Sequence, residues 1–121
     1  MDTHTLLWFL SGDDRLSDAA RGAIEEPRNT ILVSAASIWE MAIKASLGKL
    51  KVPANLLDVL REQGFVSLAV EPHHAWGVVD LPVGDHKDPF DRQLVAQALA
   101  EQLPIISGDG ALDQYGVERL W

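Results

Sequence analysis

The chain contains no cysteine. That absence excludes disulfides, zinc–thiolate sites, iron–sulfur clusters and thiol-based catalysis. Long apolar runs are also missing: no segment approaches the roughly 18–20 residues that a membrane-crossing helix needs. The opening Met1-Asp2-Thr3-His4 has no basic n-region, so no secretory signal is expected and a soluble, cytoplasmic protein is. Positive charge is scarce, with 10 Lys+Arg against 18 Asp+Glu and a formal net charge of −8. Affinity for nucleic acid comes largely from cations that neutralise phosphates, and a field of this sign works against it. Charge alone argues against a nucleic-acid enzyme unless the carboxylates have a task of their own.

What is present is an ordinary globular composition: 121 residues, 47% of them hydrophobic. This suits one domain that buries about two-thirds of its unfolded surface. There is no internal repeat, low-complexity segment or Gly/Ser linker. Residues 2–10 are apolar on one side and end at Ser11-Gly12. Ser17 is an N-cap for a helix running to about Glu26, where Pro27 stops it. Thr30-Ile31-Leu32-Val33 reads as a buried parallel strand, followed by a helix from Ser34 to about Leu47 with Gly48 at its end. A helix over 55–63, a strand over 65–70, a short helix over 72–79 and a long helix from Asp88-Pro89 to about Gln102 come next. Pro104 to Ser107 is a strand, Ala111 to Tyr115 a helical turn, and Val117 to Leu120 a last strand. Helices separate the strands, which predicts an α/β fold: a parallel central sheet with helices on both faces. Its first strand is nearly absent, since only Met1 precedes Asp2. Either the start lies upstream or the strand is truncated, and a loosely placed Asp2 is the expected consequence.

In open α/β sheets, ligands bind at the carboxyl ends of the strands. Asp2, Glu40, Asp91 and Asp109 all fall near such ends. Carboxylates gathered at one edge repel each other unless a cation joins them, and hard divalent ions such as Mg²⁺ or Mn²⁺ match oxygen ligands. Each acid also has a local explanation. Glu40 can pair with Lys44 at i,i+4. Asp88 before Pro89 is an N-cap, with Asp91 in the first turn. Asp109 sits in a Gly-Asp-Gly turn, and Asp2 can be a solvated terminal residue. Only the shared topological position sets them apart. Among the remaining residues, His73-His74 is expected to be solvated or capping, and Trp8 and Trp39 to pack in a core or a dimer contact.

Several motifs acquire meaning together. Asp2-Thr3-His4-Thr5-Leu6-Leu7-Trp8, Ser34-Ala35-Ala36-Ser37-Ile38-Trp39-Glu40, Asp88-Pro89-Phe90-Asp91-Arg92 and Ile105-Ile106-Ser107-Gly108-Asp109 follow one another in order. In this the chain resembles the PIN-domain ribonucleases, specifically the VapC-type toxins of toxin–antitoxin pairs. The resemblance implies a single PIN domain over 1–121 and a magnesium-dependent endoribonuclease. Asp2, Glu40, Asp91 and Asp109 would be its catalytic, metal-binding set, with Mg²⁺ (or Mn²⁺) as cofactor. Thr3 and Ser107 would be hydroxyl neighbours, and Asp88 an auxiliary carboxylate. An RNA substrate, a homodimer and a cognate antitoxin whose C-terminal segment covers the site are implied as well. Lys44, Lys49, Lys87 and Arg92 are candidates to grip RNA phosphates, against the plainer role of solvated charges. The chain departs from the family at Gly84-Asp85-His86, where His-His is common, and at Ser107, where the fourth motif more often carries Thr. Two rivals are an inactive PIN-fold binding module and a small phosphatase using Asp2 as nucleophile. The second lacks the Asp expected two residues after Asp2.

Overall fold

Short side-chain oxygens start most of the helices. The computed structural model describes residues 1–121, beginning with α1 (Thr3–Ser11), whose N-cap Asp2 accepts from the Thr5 amide. Ser17 likewise caps α2 (Asp18–Glu25). Strand β1 (Leu32–Ser34) runs directly into α3 (Ala35–Ser46), where the Ser34 hydroxyl accepts from the Ala36 amide. Helix α4 (Leu56–Glu62), strand β2 (Val66–Leu68) and helix α5 (Pro72–Trp76) follow. Asp88 caps α6 (Pro89–Ala100), which leads to β3 (Ile105–Ile106), a 3₁₀ turn over Gly110–Tyr115 and β4 (Arg119–Leu120). The helix expected over 72–79 is α-helical only to Trp76 and tightens into a 3₁₀ turn over Gly77–Asp80.

The strands form two parallel pairs. Val33 lies opposite Ser67, and Ile105 lies opposite Arg119. Two residues bridge the pairs: the Met1 amine donates to the Leu32 carbonyl at 3.3 Å, and the Asp2 amide donates to the Ile106 carbonyl at 3.0 Å. Met1-Asp2 thus stands between β1 and β3. Asp2 is nevertheless not loose. It is 5% exposed and held through both its amide and its carboxylate. At the opposite, amino end of the strands an apolar cavity of ≈ 270 Å³ opens beside Met1, lined by Ile31, Leu32, Pro104 and Ile106 among others.

Side chains on a strand alternate between faces, and β3 uses both. Ile105 packs with Leu94, Val95 and Ala98 of α6, whereas Ile106 packs with Ala20 and Ile24 of α2. Helices therefore cover both faces, as the composition of the strands predicts. A third cluster joins Leu6, Val33, Met41 and Leu60. Trp8 is partly buried and leans on Trp121. Trp39, expected in a core or a dimer contact, is outside the core: it is 63% exposed, with its ring against the edge of Phe90. No helix is long and apolar enough to cross a membrane.

Leu6 is fully buried at the point where α1 meets β1 and α3. Leu6→Ala is expected to lower the unfolding free energy by about 2–5 kcal/mol. A urea titration with an unchanged slope and an earlier midpoint checks this.

Candidate active site

Four acidic side chains are presented by four separate elements at the carboxyl ends of the strands. Asp2 comes from the bridge and caps α1. Its Oδ1 accepts from the Thr5 amide at 2.9 Å and its Oδ2 from the Ser107 hydroxyl at 2.5 Å. Ser107, fully buried just after β3, also accepts from the Asp109 amide at 3.0 Å. One hydroxyl thus ties the first acidic residue to the turn that carries the last. The turn is tight: a Cβ on Gly108 would lie 2.8 Å from the Trp121 ring. Asp109 caps the 3₁₀ turn through Oδ1 and is exposed, with the Arg119 guanidinium contributing a nearby positive charge.

Asp91 enters from the first turn of α6, where the Asp88 carboxylate accepts from the amides of Phe90 and Asp91. Burial pushes the Asp91 carboxyl up to about 6; the negative charges of Asp88 and Asp2 add to the effect, and the hydrogen bond with His86 opposes it. The His86 Nε2 lies 3.1 Å from Asp91 Oδ2. Glu40, from the second turn of α3, is 3% exposed. Its Oε2 takes the Lys44 ammonium at 2.8 Å, as the i,i+4 spacing predicts, but its Oε1 is buried with no partner at all. One turn earlier on the same buried face, Ser37 accepts from the Thr3 hydroxyl at 3.1 Å.

The predicted site residues therefore divide. Asp2, Asp109 and Ser107 are linked by hydrogen bonds, and Asp91 lies close enough to feel the charge of Asp2. Glu40 is buried on α3 with its own cation, and no hydrogen bond ties it to the other three. Thr3 serves Ser37 rather than a carboxylate, and Asp88 is occupied as a cap. Of the candidate RNA-facing residues, Lys49 and Lys87 are exposed. Lys44 is paired with Glu40, and Arg92 is engaged with the Pro82 carbonyl and the Tyr115 hydroxyl. His86, where the sequence departs from the family's His-His and no site role is expected, nevertheless contacts Asp91 once the loop folds back.

A donor set of carboxylates with one orphaned buried oxygen fits a hard divalent cation, which prefers oxygen ligands. The family model for the PIN domain matches residues 1–118. This chain belongs to the PIN-domain family. Among curated relatives, Ribonuclease VapC22 of Mycobacterium tuberculosis is 28% identical over 114 residues, which cover 93% of this chain and 87% of that protein. Ribonuclease VapC16 of the same organism is 41% identical over 58 residues, 45% of this chain and 41% of the relative. No solved structure matches. The α/β fold with parallel strands and helices on both faces is the PIN-like arrangement that the motifs imply.

The raised Asp91 pKa has a stability consequence in metal-free protein. A carboxyl with a folded pKa of about 6 and an ordinary value of 3.8 favours folding while protonated. Its contribution is full below pH 4 and is lost as pH rises through 6. Relative to Asp91→Asn, the wild type is expected to lose about 1–2 kcal/mol between pH 4 and 7, allowing for solvent screening of a partly exposed group. Denaturant unfolding of both proteins across that range, in chelator, gives the comparison.

Proposed function

We propose that this PIN domain is a metal-dependent endoribonuclease, the toxin of a toxin–antitoxin pair, that hydrolyses RNA phosphodiesters. Three observations support the reading: Ser107 ties Asp2 to the Asp109 turn, a carboxylate oxygen of Asp91 lies within 4.8 Å of one from Asp109, and Glu40 Oε1 is buried and unpartnered. Such a site is costly to maintain without a cation. Asp2, Glu40, Asp91 and Asp109 would hold Mg²⁺ or Mn²⁺. A bound divalent ion supplies Lewis acidity toward a phosphodiester and lowers the pKa of water.

The protein's own residues do the positioning. Ser107 holds Asp2 and the Asp109 turn in register. The α6 cap at Asp88 fixes the first turn that bears Asp91. Lys44 offsets one charge on Glu40. Lys87, exposed beside the start of α6, is available to meet phosphates, while the net charge of −8 opposes RNA elsewhere. Binding to bulk RNA is therefore weak and salt-sensitive, and selectivity rests on RNA shape. Phosphotransfer through Asp2 is disfavoured, since both its oxygens are engaged and it is almost inaccessible.

A protein partner and self-association belong to the same reading. Trp39 and Phe90 lie beside Ala36, Ala75 and Val78 in an exposed apolar hollow next to Lys87 and Arg92. A partner covering it could send an Arg or Lys into the acidic cluster, where a charge-assisted bond would compete with metal.

The test is cleavage of RNA by protein purified free of any antitoxin. Activity should require Mg²⁺ or Mn²⁺ and disappear in chelator. Asp91→Asn and Asp109→Asn should each lower the rate roughly 100-fold or more while circular dichroism stays unchanged. Cleavage that survives in both variants or without metal overturns the proposal.

A further inference from the structure

Three contacts converge on the Tyr115 hydroxyl: His86 Nδ1 at 2.8 Å, the His86 carbonyl at 3.1 Å and Arg92 Nη1 at 3.3 Å. A hydroxyl has one proton and two lone pairs. The carbonyl can only accept and the guanidinium can only donate. All three contacts are satisfied in one way: Tyr115 gives its proton to the carbonyl and accepts from Arg92 and from His86 Nδ1. His86 therefore carries a proton on Nδ1, and Nε2 is the atom turned to Asp91 Oδ2, 3.1 Å away. With Nδ1 committed to Tyr115, the Nε2 lone pair and the Asp91 carboxylate oxygen stand at a spacing that a shared cation bridges. The Asp109 carboxylate completes the group: a ligand atom from each of His86, Asp91 and Asp109 lies within 4.8 Å of the other two. Elsewhere in the proposed acidic set, Glu40 Oε1 is buried without a hydrogen-bond partner.

We propose that His86 Nε2 is a metal ligand of this site, joining Asp91 and Asp109 in a mixed nitrogen–oxygen set that favours Mn²⁺ over Mg²⁺. The proposal rests on the divalent-ion reading of the acidic cluster. Metal-bound histidines characteristically donate their second ring N–H to a fixed acceptor, which orients the ring, and Tyr115 is that acceptor. Mg²⁺ keeps to oxygen ligands in strict octahedral geometry, whereas imidazole suits later first-row ions and Mn²⁺ accepts it. The same reasoning excludes the other histidine cluster. His74 Nδ1 accepts from the Glu71 amide at 3.0 Å, so its proton sits on Nε2 and goes to Glu101 at 2.6 Å. His74 thus has no lone pair left for an ion.

The test uses the full chain and Mn²⁺ itself. Electron paramagnetic resonance titration gives the affinity, and pulsed spectra of bound Mn²⁺ report whether a ¹⁴N nucleus is coordinated. Wild type is expected to show nitrogen coupling that His86→Ala abolishes. Mn²⁺ affinity should fall about 10-fold or more in His86→Ala, and about 10-fold in Tyr115→Phe, where the ring loses its acceptor. Mg²⁺ affinity, read by competition, should change less than about 3-fold, since it depends on oxygens. Stoichiometric Mn²⁺ binding without nitrogen coupling in the wild type overturns the role of His86 and leaves the acidic site standing. So does coupling that persists in His86→Ala. Failure of folded wild type to bind either ion overturns the acidic site and this proposal together.

Discussion

The hydrogen bond from Ser107 to Asp2 spans 105 positions of sequence and organises the protein. Asp2 is at once a backbone link to β3, the cap of α1 and a member of the acidic cluster. Ser107 is at once the end of β3 and the acceptor for the Asp109 turn. Two parallel strand pairs that share no ladder are thereby joined by side-chain and amide contacts at the level where the chemistry sits. In most sheets the backbone ladder sets the position of strand-end residues. Here a two-residue bridge does part of that work and a buried, charge-assisted hydrogen bond does the rest, because such bonds are roughly twice as strong as neutral ones.

Electrostatics give the cluster its character. Asp91 is raised by burial and by its neighbours, and Glu40 is buried with one oxygen satisfied by Lys44 and the other by nothing. These groups are held together against their own repulsion. The folded chain supplies the framework: Gly108 admits the Trp121 ring, and the Ser107 and Asp88 hydrogen bonds fix the turns. The net charge of −8 is thus less a statement about the surface than it first looks, since part of it is concentrated where a cation fits.

Much of the fold was legible in local chemistry. Ser17, Ser34 and Asp88 cap the helices that their spacing predicts, and Gly48 and Gly64 adopt the left-handed conformation at helix ends. Strand lengths were less legible. The apolar runs at 30–33 and 65–70 pair over only 32–34 and 66–68, because pairing depends on a neighbour that the strand itself does not encode. Trp39 shows the same gap: an apolar type on a helix does not say whether it packs in the chain's own core, and this one stays outside it.

At the site, residue types and order pointed to the four acids, since capping chemistry and carboxylate chemistry use the same side chains at the same strand ends. Each local role was real: Asp2, Asp88 and Asp109 do cap, and Glu40 does pair with Lys44. Short-range geometry is enough to write those contacts into a sequence. What only the tertiary structure decided is which of these groups meet. Ser107 reaching Asp2, Thr3 choosing Ser37, and Tyr115 turning His86 onto Asp91 all join segments that are distant in the chain. Such contacts arise from how the helices pack on the two strand pairs, and packing is a property of the whole chain rather than of any motif in it.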